Sequence, residues 1–113
     1  MNKKGVDSEA LAAAFLEGRG LTILVRNYRC RLGEIDLVAR DGGTTVFVEV
    51  RRRASSAFGG AAASITPAKR AKLIRAAQHY LSRLRDDPQC RFDALLIEGE
   101  PPVIEWIRDA FGE

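Results

Sequence analysis

Residues 33–53 read GEIDLVARDGGTTVFVEVRRR, two runs of alternating apolar and polar side chains on either side of Asp41-Gly42-Gly43. β-Branched and aromatic residues are frequent in the second run and suit a pleated, half-buried surface. A Gly-Gly pair between two such runs signals a two-residue hairpin turn. The pattern predicts antiparallel strands over 33–40 and 44–52. With Gly42-Gly43 as the loop, facing positions sum to 85, so Asp36 lies opposite Glu49 and Glu34 opposite Arg51. The Cβ atoms of each such pair are expected about 5 Å apart. Facing like charges destabilise a sheet, and Ile35, Leu37, Val48 and Val50 mark well-packed strands where neither acid can retreat to an edge. Two arrangements would offset the repulsion. One is a hard divalent cation such as Mg²⁺, which takes one or two carboxylates, a backbone carbonyl and water. The other is a metal-free lattice of salt bridges from Glu34 to Arg51 and from Asp36 to Arg53.

Working outward, LTILVRNYRC (21–30) supplies a third strand of the same meander. Before it, Asp7 or Ser8 is placed to cap a helix over about 8–18, EALAAAFLE, which ends at Gly18 and Gly20. After the hairpin, ASSAFGGAAAS (54–64) is small and uncharged and reads as a loop beside the acidic pair. Thr66 and Pro67 are a cap and first residue for a helix running to about Arg85. The strand RFDALLI (91–97) follows the break at Asp86-Asp87-Pro88, and Pro101-Pro102 sets off a short last strand, VIEWI. The order αβββαββ predicts one α/β domain over residues 1–113, a mixed central sheet flanked by helices.

On a helical wheel Leu73, Ile74, Ala77, Tyr80, Leu81 and Leu84 form the core face of the second helix, while Lys72, Arg75, His79 and Arg83 form a basic stripe. A solvated face explains such stripes in most helices, and His79 reads as an exposed polar residue.

The charge distribution is uneven. The chain carries a net +3, but residues 51–85 hold nine basic side chains and no acidic one, whereas 86–113 hold eight acidic and two basic. Such a stretch concentrates polyanions, nucleic acid being the commonest in a cytoplasm. The competing expectation is that the acidic tail folds onto the basic stretch and cancels it. No apolar run approaches a membrane span, and Asp7 and Glu9 precede the first apolar stretch, unlike a secretory signal, so the expected location is the cytoplasm. Cys30 and Cys90 are too few for a zinc site and read as small core residues.

The segments GEIDLVA (33–39), FVEVRRR (47–53) with FGG after it, the helix after Pro67 with Lys69, and RFDALLI (91–97) resemble the YraN family of small bacterial proteins, grouped with the PD-(D/E)xK nuclease superfamily. The match runs over about residues 5–98. The resemblance implies a restriction endonuclease-like αβββαβ core. It matches Asp36 and Glu49 to the two catalytic acids, Arg51 to the position normally held by lysine in the Glu-x-Lys triplet, and Glu9 to a helix glutamate that joins the metal site in resolvase-like relatives. Arginine keeps the lysine's charge but cannot act as a base. A water whose pKa is lowered by the metal would then have to serve, with Arg51 holding phosphate; Lys69 is a second candidate amine.

The resemblance implies a metal-dependent phosphodiesterase acting on DNA, branched or damaged DNA among the substrates. Asp36, Glu49 and the Val50 carbonyl would hold Mg²⁺ or Mn²⁺, and Arg51, Arg53, Lys69, Lys72, Arg75 and Arg83 would bind nucleic acid. A catalytically silent relative that binds nucleic acid, and a basic module for an acidic protein partner, are the alternatives. Association into a homodimer is left open. No base-reading element or aromatic array is evident, so sequence specificity is not expected.

Overall fold

The computed structural model describes residues 3–53 and 65–111; the side chains of residues 3–7 and of Arg53 lie outside that description, as does the 54–64 segment read as a loop. Within these bounds the chain runs α1 (Lys3–Gly18), β1 (Thr22–Cys30), β2 (Gly33–Asp41), β3 (Thr44–Arg53), α2 (Pro67–Ser82), β4 (Gln89–Glu98) and β5 (Val103–Phe111). The five strands form one sheet in the order β1-β2-β3-β4-β5. β3 and β4 are parallel and the other neighbours antiparallel, so the sheet is mixed as expected.

The central position of β3 explains its sequence. A strand covered on both faces needs a near-continuous buried run, and Thr45 to Val50 are all buried. On one face Ala12, Ala13 and Leu16 of α1 pack on Leu37, Val46, Val48, Leu95 and Ile97. On the other, Leu73, Ala76 and Ala77 of α2 pack on Tyr28, Ile35, Val38, Phe47 and Phe92. Alanines on both helices let the backbones approach the sheet closely.

The hairpin register is the one the turn dictated: Leu37 faces Val48 and Asp41 faces Thr44 across Gly42-Gly43. Gly42 has φ +61, the left-handed conformation a primed turn demands. Thr66 caps α2 by accepting from the Lys69 amide at 3.3 Å, with Pro67 in the first turn.

Several boundaries move. α1 starts at Lys3, so Ser8 lies inside it, with its hydroxyl 3.5 Å from an Arg52 guanidinium nitrogen. α2 ends at Ser82 rather than near Arg85, its last amides tightening onto carbonyls three residues back (Arg83 to Tyr80, Leu84 to Leu81). β5 runs four residues past VIEWI to Phe111, because an irregularity in the β4–β5 ladder with Asp109 at φ +53 brings Phe111 onto Phe92, ring centroids 5.2 Å apart. Cys30 is half-buried, but Cys90 is exposed at the start of β4, outside the core expected for it. Among the described residues no helix is long and apolar enough to cross a membrane.

Candidate active site

Beyond Leu37–Val48 the hairpin ladder gives way to a side chain: Asp36 Oδ2 accepts from the Val50 amide at 2.8 Å. A backbone donor of the central strand is thus satisfied by a carboxylate, which fixes Asp36 beside β3. Glu49, one residue back on β3, is only 7% exposed. Its carboxyl is pushed up to about 8, by burial first and then by the negative charge of Asp36 and a hydrogen bond with it, against the opposing fields of Arg51 and Lys69. The two acids therefore meet, with Glu49 inclined to keep its proton at neutral pH.

Arg51 pairs with Glu49 itself. Its Nε is buried and has no hydrogen-bond acceptor, an orphan donor of the kind that carries a desolvation penalty until a ligand meets it. Asp36, Glu49 and Arg51 line a cleft of about 610 Å³ together with Lys69, Lys72 and Leu73 of α2 and the β1–β2 turn from Arg29 to Glu34. The turn is held against the helix at Gly33, where an added Cβ would come within 2.9 Å of the Lys72 carbonyl oxygen. Only glycine permits that approach.

The salt-bridge lattice expected as the metal-free alternative is not built as drawn. Glu34 pairs with Arg29 across β1 and β2 at 3.3 Å, both exposed, because the β1–β2 register sets them opposite one another. Arg51 is turned inward to Glu49. The Arg53 side chain lies outside the described residues, so its pairing with Asp36 does too.

The other expected site residues are dispersed. Glu9 accepts from the Asn27 side chain at 2.8 Å on the α1 side, whereas the cleft lies on the α2 side. The α2 stripe divides: Lys72 lines the cleft, Arg75 is exposed and outside its lining, and His79 and Arg83 converge on the Tyr28 hydroxyl. His79 is half-buried there rather than exposed. Arg29, Cys30, Arg31 and Leu32 were not singled out from the sequence as cleft residues; the glycine closing the turn, preceded by Arg29 and Arg31, was the available signal.

Part of the acidic tail is engaged around β4 and β5, and part meets the basic stretch. Fully buried Asp93 accepts from Arg91 at 3.0 Å, from Trp106 Nε1 at 2.8 Å and from the Asp109 amide at 2.9 Å. Arg91 and Arg108 both reach Asp41 at 3.0 Å. Glu100 approaches Arg52 at 3.8 Å.

No group of three or more His, Cys, Asp or Glu side chains placed to hold a metal occurs among the described residues. The donor set at the cleft floor is two carboxylates. This still fits a hard divalent cation such as Mg²⁺, which commonly uses one or two carboxylates and keeps several waters. A cation there would also relieve the burial and repulsion that raise Glu49.

The sequence profile of the uncharacterised protein family UPF0102 matches residues 8–97. A UPF0102 protein of Nitrosomonas eutropha is 61% identical over 110 residues, covering 97% of this chain and 94% of its own length. One from Nitrosomonas europaea is 60% identical over 111 residues, with the same coverage. One from Psychromonas ingrahamii is 48% identical over 112 residues, 99% of this chain and 92% of its own length.

Proposed function

The chain belongs to the uncharacterised protein family UPF0102, and on that premise we propose that it is a metal-dependent endonuclease of the PD-(D/E)xK type, akin to the YraN group, which hydrolyses DNA phosphodiester bonds in the cytoplasm. The observation that carries this reading is the meeting of Asp36 and Glu49 at the floor of a cleft walled by cations. A pure nucleic-acid binder gains nothing from two carboxylates beside the phosphates it attracts.

Asp36 and Glu49, with the Val50 carbonyl, are the groups that would hold Mg²⁺ or Mn²⁺. Such an ion supplies Lewis acidity and a lowered pKa for the attacking water. Arg51 lies against Glu49 in the free protein, and its orphan Nε–H is a donor suited to a phosphate oxygen. Turning that guanidinium from Glu49 to phosphate would stabilise charge developing on phosphorus, and the cation would take its place in favouring the ionised Glu49. Lys69, whose field reaches Glu49, supplies an amine from α2 where the superfamily's triplet has lysine on the strand. Lys72, Arg29 and Arg31 hold the flanking backbone by charge.

One observation favours a second reading, a catalytically silent relative that only binds nucleic acid. Arg51 already occupies the cationic position beside Glu49 that a metal would otherwise take. Incubation with linear, nicked, flapped and four-way DNA, in Mn²⁺ or in chelator, separates the two. The nuclease cuts at least one form in Mn²⁺ and none in chelator, loses cutting in Asp36→Asn, and keeps or gains it in Arg51→Lys. If the native protein and Arg51→Lys both bind DNA yet cut no form, the silent reading replaces it.

A further inference from the structure

The cleft is not lined by charge alone. Cys30, Leu32 and Leu73 line it too, beside Asp36, Glu49 and Arg51; Leu73 is buried in the core, Cys30 is half-buried and Leu32 is exposed. Leu32 is 43% exposed at the tip of the β1–β2 turn, and the contact between Gly33 and the Lys72 carbonyl fixes that tip against α2. A paired, stacked duplex presents mainly phosphates, sugars and polar groove edges, and offers an exposed leucine less apolar surface than an unstacked base does. The cleft's 610 Å³ is within the range of pockets that enclose one small ligand, roughly 300–1,000 Å³. That is space for a nucleotide or two, far short of a double helix.

From these features we infer that the cleft takes an unpaired nucleotide, its phosphate on Arg51 and Lys69 and its base against Leu32 and Cys30, so that Leu32 selects unstacked over stacked strands. The inference rests on the nuclease-like reading only as far as nucleic-acid binding, and it names the substrate class: single-stranded, gapped or frayed segments. Taking a base out of a stack costs a few kcal/mol in intact duplex and least where the base is already unpaired. An aliphatic wall gives less than an aromatic platform, so the selectivity comes mainly from what the cleft excludes.

Anisotropy of labelled DNA in chelator, at one fixed salt concentration, tests this without any cleavage. The probes are a single strand, its blunt duplex, and the same duplex with a three-nucleotide gap. The native protein should bind the single strand and the gapped duplex at least about fivefold more tightly than the blunt duplex, and Leu32→Ala should lower that preference roughly threefold or more. Leu32→Trp should raise it. Equal affinity for all three probes, or a preference that neither Leu32 variant changes, overturns the inference while leaving nucleic-acid binding intact. Failure of the native protein to bind any probe at low salt removes the binding reading and this inference together. Because Leu32 is exposed, thermal unfolding should show both variants folded as the native protein is.

Discussion

Glu49 lies where a carboxyl group prefers to stay protonated, and the consequence for stability has a definite sign. Its ordinary value of 4.5 rises to about 8 in the folded chain, so the folded state holds this proton more tightly than the unfolded one. In chelator, stability should therefore decline as pH rises from about 4.5 towards 8. Glu49→Gln should flatten that decline and raise the unfolding free energy at pH 8 by on the order of 1–3 kcal/mol. Denaturant titrations at pH 5 and pH 8 check this; an unchanged slope with pH in the variant would place the titrating group elsewhere. At this scale Asp36 and Glu49 were legible in the sequence because strand alternation and one turn fix both positions. Arg51's inward pairing with Glu49 was not, since a long side chain's rotamer answers to burial rather than to spacing. Asp93 escaped notice for a related reason: its partners Trp106 and the Asp109 amide come from a strand whose irregular register no local pattern announces.

At the scale of elements, the cleft exists because the β1–β2 turn is pressed onto α2. Gly33→Ala would set a methyl group 2.9 Å from the Lys72 carbonyl oxygen on a backbone with φ +155. The substitution should destabilise the fold by about 1–3 kcal/mol, measurable by urea unfolding; a neutral effect would mean that turn and helix part readily. The helix carries the complementary expectation. Lys69 and Lys72 line the cleft and Arg75 does not, so the pair Lys69→Glu/Lys72→Glu should weaken DNA binding more than Arg75→Glu does. The double change should also reduce the steepness of the salt dependence by about 2. Equal losses would spread the contact along the whole helix. The wheel separated core from basic stripe well, with Leu73 and Ala77 buried and Tyr80 packed on Phe47. It could not reveal that His79 and Arg83 turn to Tyr28, because a wheel describes one helix and says nothing of the strand beneath it.

Over the whole molecule, the charges sort into a cleft group and a β4–β5 group, and Glu100 of the acidic tail also reaches Arg52 of the basic stretch at 3.8 Å. The basic residues Lys69 and Lys72 line the cleft, while Asp93 and Asp41 are bound up with Arg91 and Arg108 on the β4–β5 side. The hydrogen bond from Arg91, with Arg108 adding to it, holds Asp41 below the ordinary carboxylate range. Stability from Asp41 is present above that range and lost as pH falls through the lowered value. Together with Glu49 it gives two opposed limbs, one at low pH that Asp41→Asn should weaken and a decline between about 4.5 and 8 that Glu49→Gln should weaken. Melting temperature across pH 3 to 9 resolves them, and a single substitution that altered both limbs would contradict their independence. The αβββαβ order and the mixed sheet were readable because each element carries its own period and punctuation. The position of Lys69 was not, since the 54–64 segment separates it from β3 and sequence gives no direction across such a gap.

The central claim is that Asp36 and Glu49 form a cation site, and calorimetric titration of the protein with Mn²⁺ at pH 7 tests it most directly. Run in buffers of different ionisation enthalpy, the titration also counts protons. The account predicts one ion bound per chain with release of close to one proton, because Glu49 must give up the proton it holds below about 8. It further predicts that Asp36→Asn and Glu49→Gln each abolish binding or weaken it at least tenfold. No binding by the native protein, or binding that survives both substitutions unchanged, would contradict it.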